Sequence, residues 1–245
     1  MSAPAAMAVV VPARDEETAI GPCLESLLAA ADALAVPATV VVVAHRCTDR
    51  TADGATALLA GGRGTVVADR SPTVATARAA GARAALAWAA GLAPPAATWL
   101  VSTDADTTVP PSWLGDVAGH AATGAVAVAG LVDVVHDPRT PQAARRAHRD
   151  LVTAGLTPRG HRHAYAANLA VRADAYLDVG GWPAVAPGED HALLAALRLT
   201  GRTVVATPDL VVRTSGRHLA RAQGGLGALL QRLSHGVTAD PAFPG

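Results

Sequence analysis

Apolar, mostly β-branched residues fill positions 7–11 and stop at Pro12, and positions 20–34 then carry apolar side chains three and four apart. Those signals predict a buried strand followed by a helix with one apolar face. The same pair recurs as strand 39–43 with helix 49–59 and strand 65–67 with helix 74–90, before a further strand at 99–102. Four strands alternating with helices predict an α/β chain with a doubly wound, mostly parallel sheet and helices on both faces. After Pro110 and Pro111 the rhythm loosens. A short helix, a long strand at 125–135 expected to run antiparallel, and an arginine-rich helix at 141–153 come next. A polar turn at 159–163, an extended segment at 165–171, helix 190–199, strand 203–206 and a last helix at 219–233 complete the outline. With no internal repeat and no linker, the pattern predicts one domain over residues 1–245.

Composition narrows the chemistry. Acidic and basic side chains balance at 20 each, which gives no overall field to gather nucleic acid or an anionic membrane. No lysine occurs, so Schiff-base chemistry and lysine-bearing phosphate loops are excluded, and any phosphate must be met by arginine, backbone amides or a metal. Cys23 and Cys47 are the two cysteines, which excludes a disulfide framework and predicts reduced thiols and a cytoplasmic location. Arg14, Asp15, Glu16 and Glu17 end the first apolar run at one strand's length, too short for a secretion signal or a membrane span.

The strongest local signal is Ser102-Thr103-Asp104-Ala105-Asp106, two carboxylates spaced i and i+2 just beyond an apolar strand. An extended backbone would aim both side chains the same way. In an open α/β sheet, ligands sit outside the carboxyl ends of the strands, where two such carboxylates can hold Mg²⁺ or Mn²⁺. A solvated acidic turn ahead of Pro110 accounts for the same residues equally well.

Around that pair, strand one ends in Val11-Pro12-Ala13-Arg14-Asp15-Glu16-Glu17 and strand two in Val43-Ala44-His45-Arg46-Cys47-Thr48-Asp49-Arg50-Thr51. With Ala77-Arg78-Ala79-Ala80-Gly81, the Asp-x-Asp turn and Gly188-Glu189-Asp190, the chain resembles family 2 glycosyltransferases of the GT-A type from about residue 7 to 217. The resemblance implies a nucleotide-sugar-binding half at about 1–108, an acceptor-binding half at about 109–245 and a small antiparallel portion on the acceptor side. It implies that Pro12, Arg14, Asp15, Glu16, His45, Asp49, Arg78 and Asp104 bind the donor, and that Asp104, Asp106 and His218 hold the metal. It implies Asp190 as the base that takes the acceptor proton, Glu189 as its partner, and Trp182 and Gly181 as acceptor contacts.

Each residue also has an ordinary reading. Asp15, Glu16 and Glu17 complement a helix dipole, Asp49, Glu189 and Asp190 cap or charge helix starts, Arg78 is a helix-surface arginine, and Trp182 covers core. The chain departs from the family pattern at Ala44 and His45, where members often carry two aspartates, one of which contacts the base.

The activity implied is metal-dependent, inverting transfer from a UDP- or GDP-sugar to a hydroxyl-bearing acceptor. No nucleic-acid partner and no transmembrane segment are expected, and a homodimer is left open. A nucleotide-sugar-binding subunit without turnover and a sugar nucleotidyltransferase are the alternatives. The latter lacks its glycine-rich turn and its lysine here.

Overall fold

The computed structural model describes residues 3–185, 187–216 and 226–234. Its first part alternates β1 (Ala6–Ala13), α1 (Ile20–Asp32), β2 (Ala38–His45), α2 (Thr51–Leu58), β3 (Gly64–Asp69), α3 (Val74–Ala89) and β4 (Thr98–Ser102). All eight residues of β1 are buried, as a strand covered on both faces requires. β1 pairs in parallel with β2 and β4, and β2 with β3. α3 starts on a reciprocal cap in which Thr73 and Thr76 satisfy each other's backbone N–H groups.

The second part comprises β5 (Thr107–Thr108), α4 (Trp113–Ala122), β6 (Ala127–His136), α5 (Gln142–Ala154), the short hairpin β7 (Leu156–Thr157) and β8 (Gly160–His161), β9 (Leu169–Arg172), α6 (Ala173–Asp178), α7 (Glu189–Leu199), β10 (Val204–Gly216) and α8 (Leu226–Ser234). One eight-stranded sheet runs through both halves in the order β3-β2-β1-β4-β9-β6-β10-β5. Its two faces are separately packed. Met7, Val9, Val40 and Val42 face α1, α2 and α4, while Ala8, Val10, Val41 and Val43 face α3, α6 and α7.

Two expectations change. The strand expected to be antiparallel, at 125–135, points the same way as the parallel set, because β6 is antiparallel to β9 and β9 is antiparallel to β4. The reversed strand is β9, which sits between them. The strand expected at 203–206 is the start of the 13-residue β10, whose register against β6 shifts between Ala206 and Val211. Pro208 and Asp209 interrupt the apolar run at that bulge, so the pattern alone ends there.

Asn168 closes the bulge from inside. Fully buried, its Nδ2 donates to the Leu131 and Leu210 carbonyls at 2.8 and 2.9 Å, and its Oδ1 accepts from Trp113 Nε1 at 2.9 Å. Gly130 leaves room for it, since a Cβ there would lie 2.2 Å from Asn168 Nδ2.

Nearby, a row of imidazoles packs between α5 and the segment that leads into β9. The His136 and His148 rings meet edge to face at 5.3 Å, His161 lies 5.8 Å from His163, and His163 stacks on Tyr165 at 5.6 Å. Burial pushes His136, His148 and His161 below the ordinary imidazole value, His148 down to about 4. Neighbouring positive charges act in the same direction, Arg145 and Arg149 on His136, His136 and His163 on His148, and Asp133 opposes them at His136 and His148. The unfolded chain takes up these protons near pH 6.5, while folded His148 refuses its proton until about pH 4. The contribution of neutral His148 to stability is therefore complete above about pH 6.5 and is lost as pH falls toward 4. Melting curves should drop by roughly 5 °C, on the order of 2 kcal/mol, between pH 7 and pH 5. His148→Leu should flatten that slope, and an equally steep decline would remove His148 as its cause.

Candidate functional site

The loops after β1, β2 and β4 lie at the carboxyl ends of those strands, where Arg78 also brings the start of α7. α3 sets their spacing. A Cβ on Gly81 would lie 2.4 Å from Val10 Cγ1 and 2.7 Å from Val43 Cγ2, so only glycine lets this helix sit so low on β1 and β2. One turn earlier on the same helix is Arg78.

Arg78 is 4% exposed and joins two acidic elements. One terminal nitrogen donates to Glu189 Oε1 at 2.6 Å, and the other donates to Asp104 Oδ1 at 2.5 Å. Its guanidinium also lies 5.6 Å above the Trp182 ring, within cation–π range. Glu189 is buried, while the Asp104 side chain is 39% exposed. The predicted diphosphate arginine thus spends both terminal nitrogens on carboxylates, and one face of Trp182 is taken by Arg78.

Asp104 and Asp106 do not lie on extended backbone. Thr107 N–H donates to the Asp104 carbonyl at 3.1 Å, closing a tight turn, yet both aspartates remain half-buried between the buried Thr103, Ala105 and Thr107. Asp106 Oδ1 accepts from Thr214 Oγ1 at 3.3 Å, and Ser215 N–H donates to its backbone carbonyl at 3.2 Å, which ties the turn to β10.

Glu189 and Asp190 open α7 after Gly188, whose φ of 100° only glycine adopts without strain. Asp190 Oδ2 accepts from Ala166 N–H at 3.0 Å and Oδ1 from His191 N–H at 2.8 Å, so two backbone donors fix the carboxylate's direction. Tyr165 lies beside it, its hydroxyl pushed up to about 12 by burial and by the Asp190 charge. Gly181 and Trp182 turn against Tyr176, whose hydroxyl accepts from Trp182 N–H at 3.2 Å.

The acids after β1 and β2 hold those two loops together. Asp15 Oδ1 accepts from Thr48 N–H and Oγ1 at 2.7 and 3.1 Å, Glu16 N–H donates to Thr51 Oγ1 at 2.7 Å, and Glu17 N–H donates to Asp49 Oδ2 at 3.1 Å. The Thr48 backbone bond is the largest influence on the Asp15 carboxyl and holds it below its ordinary value. Asp15 adopts a φ of 52° to make these contacts. Pro12 is buried and Arg14 exposed.

Among the described residues, Asp15, Cys47 and Asp49 form the group of three whose ligand atoms lie within 4.8 Å of one another. Its chemistry suits a metal poorly. The carboxylates already accept backbone hydrogen bonds, and burial raises the Cys47 thiol so that it stays protonated. Asp104 and Asp106 offer the hard oxygen donors that Mg²⁺ or Mn²⁺ prefers, in a half-open position. The expected third ligand, His218, lies outside the described residues.

Two residues of this edge escaped the sequence reading. Asp69 ends β3 and its Oδ2 accepts from His45 Nδ1 at 2.8 Å, from Ser71 N–H at 3.2 Å and from Ser71 Oγ at 2.5 Å. The strand expected at 65–67 stops short of it. Asn168, a lone amide inside the apolar segment 165–171, carried a signal that could have been used, because a buried amide must find partners.

A family model described as glycosyltransferase like family 2 matches residues 4–231. Among solved structures, the chain is similar to Staphylococcus aureus TarS 1–349 in complex with UDP-GlcNAc, at 17% identity and TM-score 0.63, over 93% of this chain and 65% of that one. A mannosyltransferase from Pyrobaculum calidifontis in complex with GDP-Man and Mn²⁺ matches at 20% identity and TM-score 0.58, over 94% of this chain and 60% of its own. Glucosyl-3-phosphoglycerate synthase from Mycobacterium tuberculosis, in complex with Mn²⁺, UDP and phosphoglyceric acid, matches at 19% identity and TM-score 0.53, over 93% and 75%. The chain thus spans less than two thirds of the first and second of these. No curated protein matches it. Among the described residues, no helix is long and apolar enough to cross a membrane.

Arg78→Met should leave the buried Glu189 carboxylate without its counter-charge and cost about 3–5 kcal/mol, roughly 10 °C in melting temperature. Adding Glu189→Leu should recover at least half of that loss. Thermal melts of the four chains in this cycle check it, and additive losses would show that the pair is not coupled.

Proposed function

The chain belongs to glycosyltransferase-like family 2, and we propose that it moves a glycosyl group from a nucleoside diphosphate sugar to an acceptor hydroxyl, with inversion at the anomeric carbon. One observation carries this reading. A single buried arginine fastens the acidic turn beyond β4 to the acidic start of α7, so the two acidic clusters lie side by side. The solved relatives that hold UDP-GlcNAc, GDP-Man or UDP support a nucleotide-sugar donor.

Asp104 and Asp106 would hold a divalent cation, and the Mn²⁺ in two relatives favours that ion. Bound there, it supplies a Lewis acid for the departing diphosphate. Asp190 takes the acceptor proton. Its carboxylate is aimed by Ala166 N–H and His191 N–H, and an anion so placed can receive a hydroxyl proton on the side of the sugar opposite the leaving group. Arg78 serves by position, keeping Asp104 and Glu189 at a fixed separation and covering one face of Trp182. Trp182 and Gly181 line the acceptor side.

Nucleoside diphosphate release, measured over a panel of donor sugars with Mn²⁺, tests the activity. Asp104→Asn and Asp106→Asn should each lower metal-dependent release about 100-fold or more. Asp190→Asn should bind donor within about threefold of the parent while transfer falls about 100-fold. Parental transfer by Asp190→Asn would remove it as the base. Donor binding without release by the parent chain would identify a binding subunit instead.

A further inference from the structure

Asp190 takes its direction from a short turn in another part of the chain. Residues Ala166–Asn168 form one turn of 3-10 helix ahead of β9, closed where Asn168 N–H donates to the Tyr165 carbonyl at 2.8 Å. The turn begins with Ala166 N–H, which donates to Asp190 Oδ2 at 3.0 Å. It ends with Asn168, whose side chain is gripped by three other elements. Nδ2 donates to the Leu131 carbonyl of β6 at 2.8 Å and to the Leu210 carbonyl of β10 at 2.9 Å, and Oδ1 accepts from Trp113 Nε1 of α4 at 2.9 Å. Only one orientation of the amide satisfies all three, because exchanging its oxygen and nitrogen would set an oxygen against two carbonyls. The side chain also has no room to shift. A Cβ on Gly130 would lie 2.2 Å from Nδ2, and Asn168 is 0% exposed.

Resting on the transfer reading above, we propose that Asn168 is a positioning residue for the Asp190 carboxylate, acting through Ala166 N–H and touching neither sugar nor acceptor. The two backbone donors on Asp190 are not equivalent. His191 N–H belongs to α7 and moves with Asp190 itself, so it aims the carboxylate only relative to its own helix. Ala166 N–H comes from outside α7 and sets the carboxylate against the sheet. Ala166 and Ala167 are buried and carry no polar side chain, which leaves the Asn168 amide as the hydrogen-bonded anchor of their turn. The route from anchor to base is short: amide to β6, β10 and α4, Asn168 N–H to the Tyr165 carbonyl, Ala166 N–H to Asp190. A base must lie within hydrogen-bond reach of the hydroxyl it serves, and misplacement by about 1 Å costs on the order of 100-fold in rate. Losing the anchor therefore slows transfer, while the proposed donor-binding loops after β1, β2 and β4 stay as they are.

A double-mutant cycle on the rate of nucleoside diphosphate release tests this, with UDP-glucose, UDP-N-acetylglucosamine and GDP-mannose as donors, Mn²⁺ present and water as the acceptor hydroxyl. Asn168→Ala should lower kcat about 30-fold while the donor KM stays within about threefold of the parent. In an Asp190→Asn background the same substitution should cost no more than about twofold, because the group it positions is already gone. A purely structural role would instead reduce the folded fraction, and with it the rate, by the same factor in both backgrounds. Trp113→Phe is the gentler variant, since it removes the donor to Oδ1 and leaves both carbonyl bonds, and it carries the cycle if Asn168→Ala fails to give a cooperative melt. It should lower kcat about threefold or more, again with donor KM unchanged and again only when Asp190 is present. Equal losses in the two backgrounds, a parental kcat in the variants, or a raised donor KM at unchanged kcat overturns the proposal and leaves the transfer reading intact. No release by the parent from any of the three donors, or undiminished release by Asp190→Asn, overturns the reading on which the proposal rests, and the proposal with it.

Discussion

A guanidinium in apolar surroundings is tolerable only if its charge is met, and Arg78 meets its own on two sides at once. The residues it joins are far apart in sequence, Asp104 at the end of β4 and Glu189 at the start of α7, so this one side chain makes the second half of the chain register against the first. Glycine at position 81 is part of the same constraint. A larger residue would lift α3 off Val10 and Val43 and carry Arg78 away from both carboxylates. Net energy is not the reason for such a bridge, since a buried ion pair is often worth no more than an apolar replacement. What it confers is a fixed separation between two acidic clusters that would otherwise repel.

The second half relies on hydrogen bonds made by isolated polar side chains in apolar surroundings. At the β10 bulge the ladder fails between Ala206 and Val211, which would strand carbonyl groups inside the sheet. The Asn168 amide takes up two of them and fixes the short turn that presents Ala166 N–H to Asp190. His161 and His163 do similar work, reaching the Ala129 and Val152 carbonyls at 3.1 and 2.9 Å. Their other ring nitrogens are buried without partners. Burial disfavours the protonated form of the His161 ring, so the packing between α5 and the segment that leads into β9 weakens as pH falls.

How much the sequence disclosed depends on which kind of information each feature needs. β1, α1, β2 and α3 were legible because burial on both faces, or on one helical stripe, is written in the spacing of apolar residues. The direction of β6 and β9 was not. Strand polarity lies in the connections, and the insertion of β9 between β4 and β6 joins residues that no local pattern links. The Asp104 and Asp106 pair was visible as a motif, while its turn geometry and its tie to Thr214 were not. Asp69 stayed hidden for a similar reason. Its partner, His45, lies on the neighbouring strand, and a carboxylate two residues past an apparent strand end looks like any solvated loop acid.

The charge inventory of this edge bears on why a cation belongs to the proposed reaction. Asp15, Glu17, Asp49, Asp69, Asp104, Asp106, Glu189 and Asp190 crowd the loops, and among the described residues Arg78 is the one buried arginine. It is already spent on Glu189 and Asp104. The arginines on these loops, Arg14, Arg46 and Arg50, are exposed and screened by solvent, so they offset only part of the repulsion a diphosphate meets in such surroundings, and the absence of lysine removes the usual remedy. Two hard carboxylates left half open in the middle of that field are what a divalent ion requires. Such an ion would reverse the sign of the local potential where the phosphates must lie. The acidity that argues against a nucleotide on simple charge grounds is therefore compatible with the proposed reaction only if a cation bridges the two.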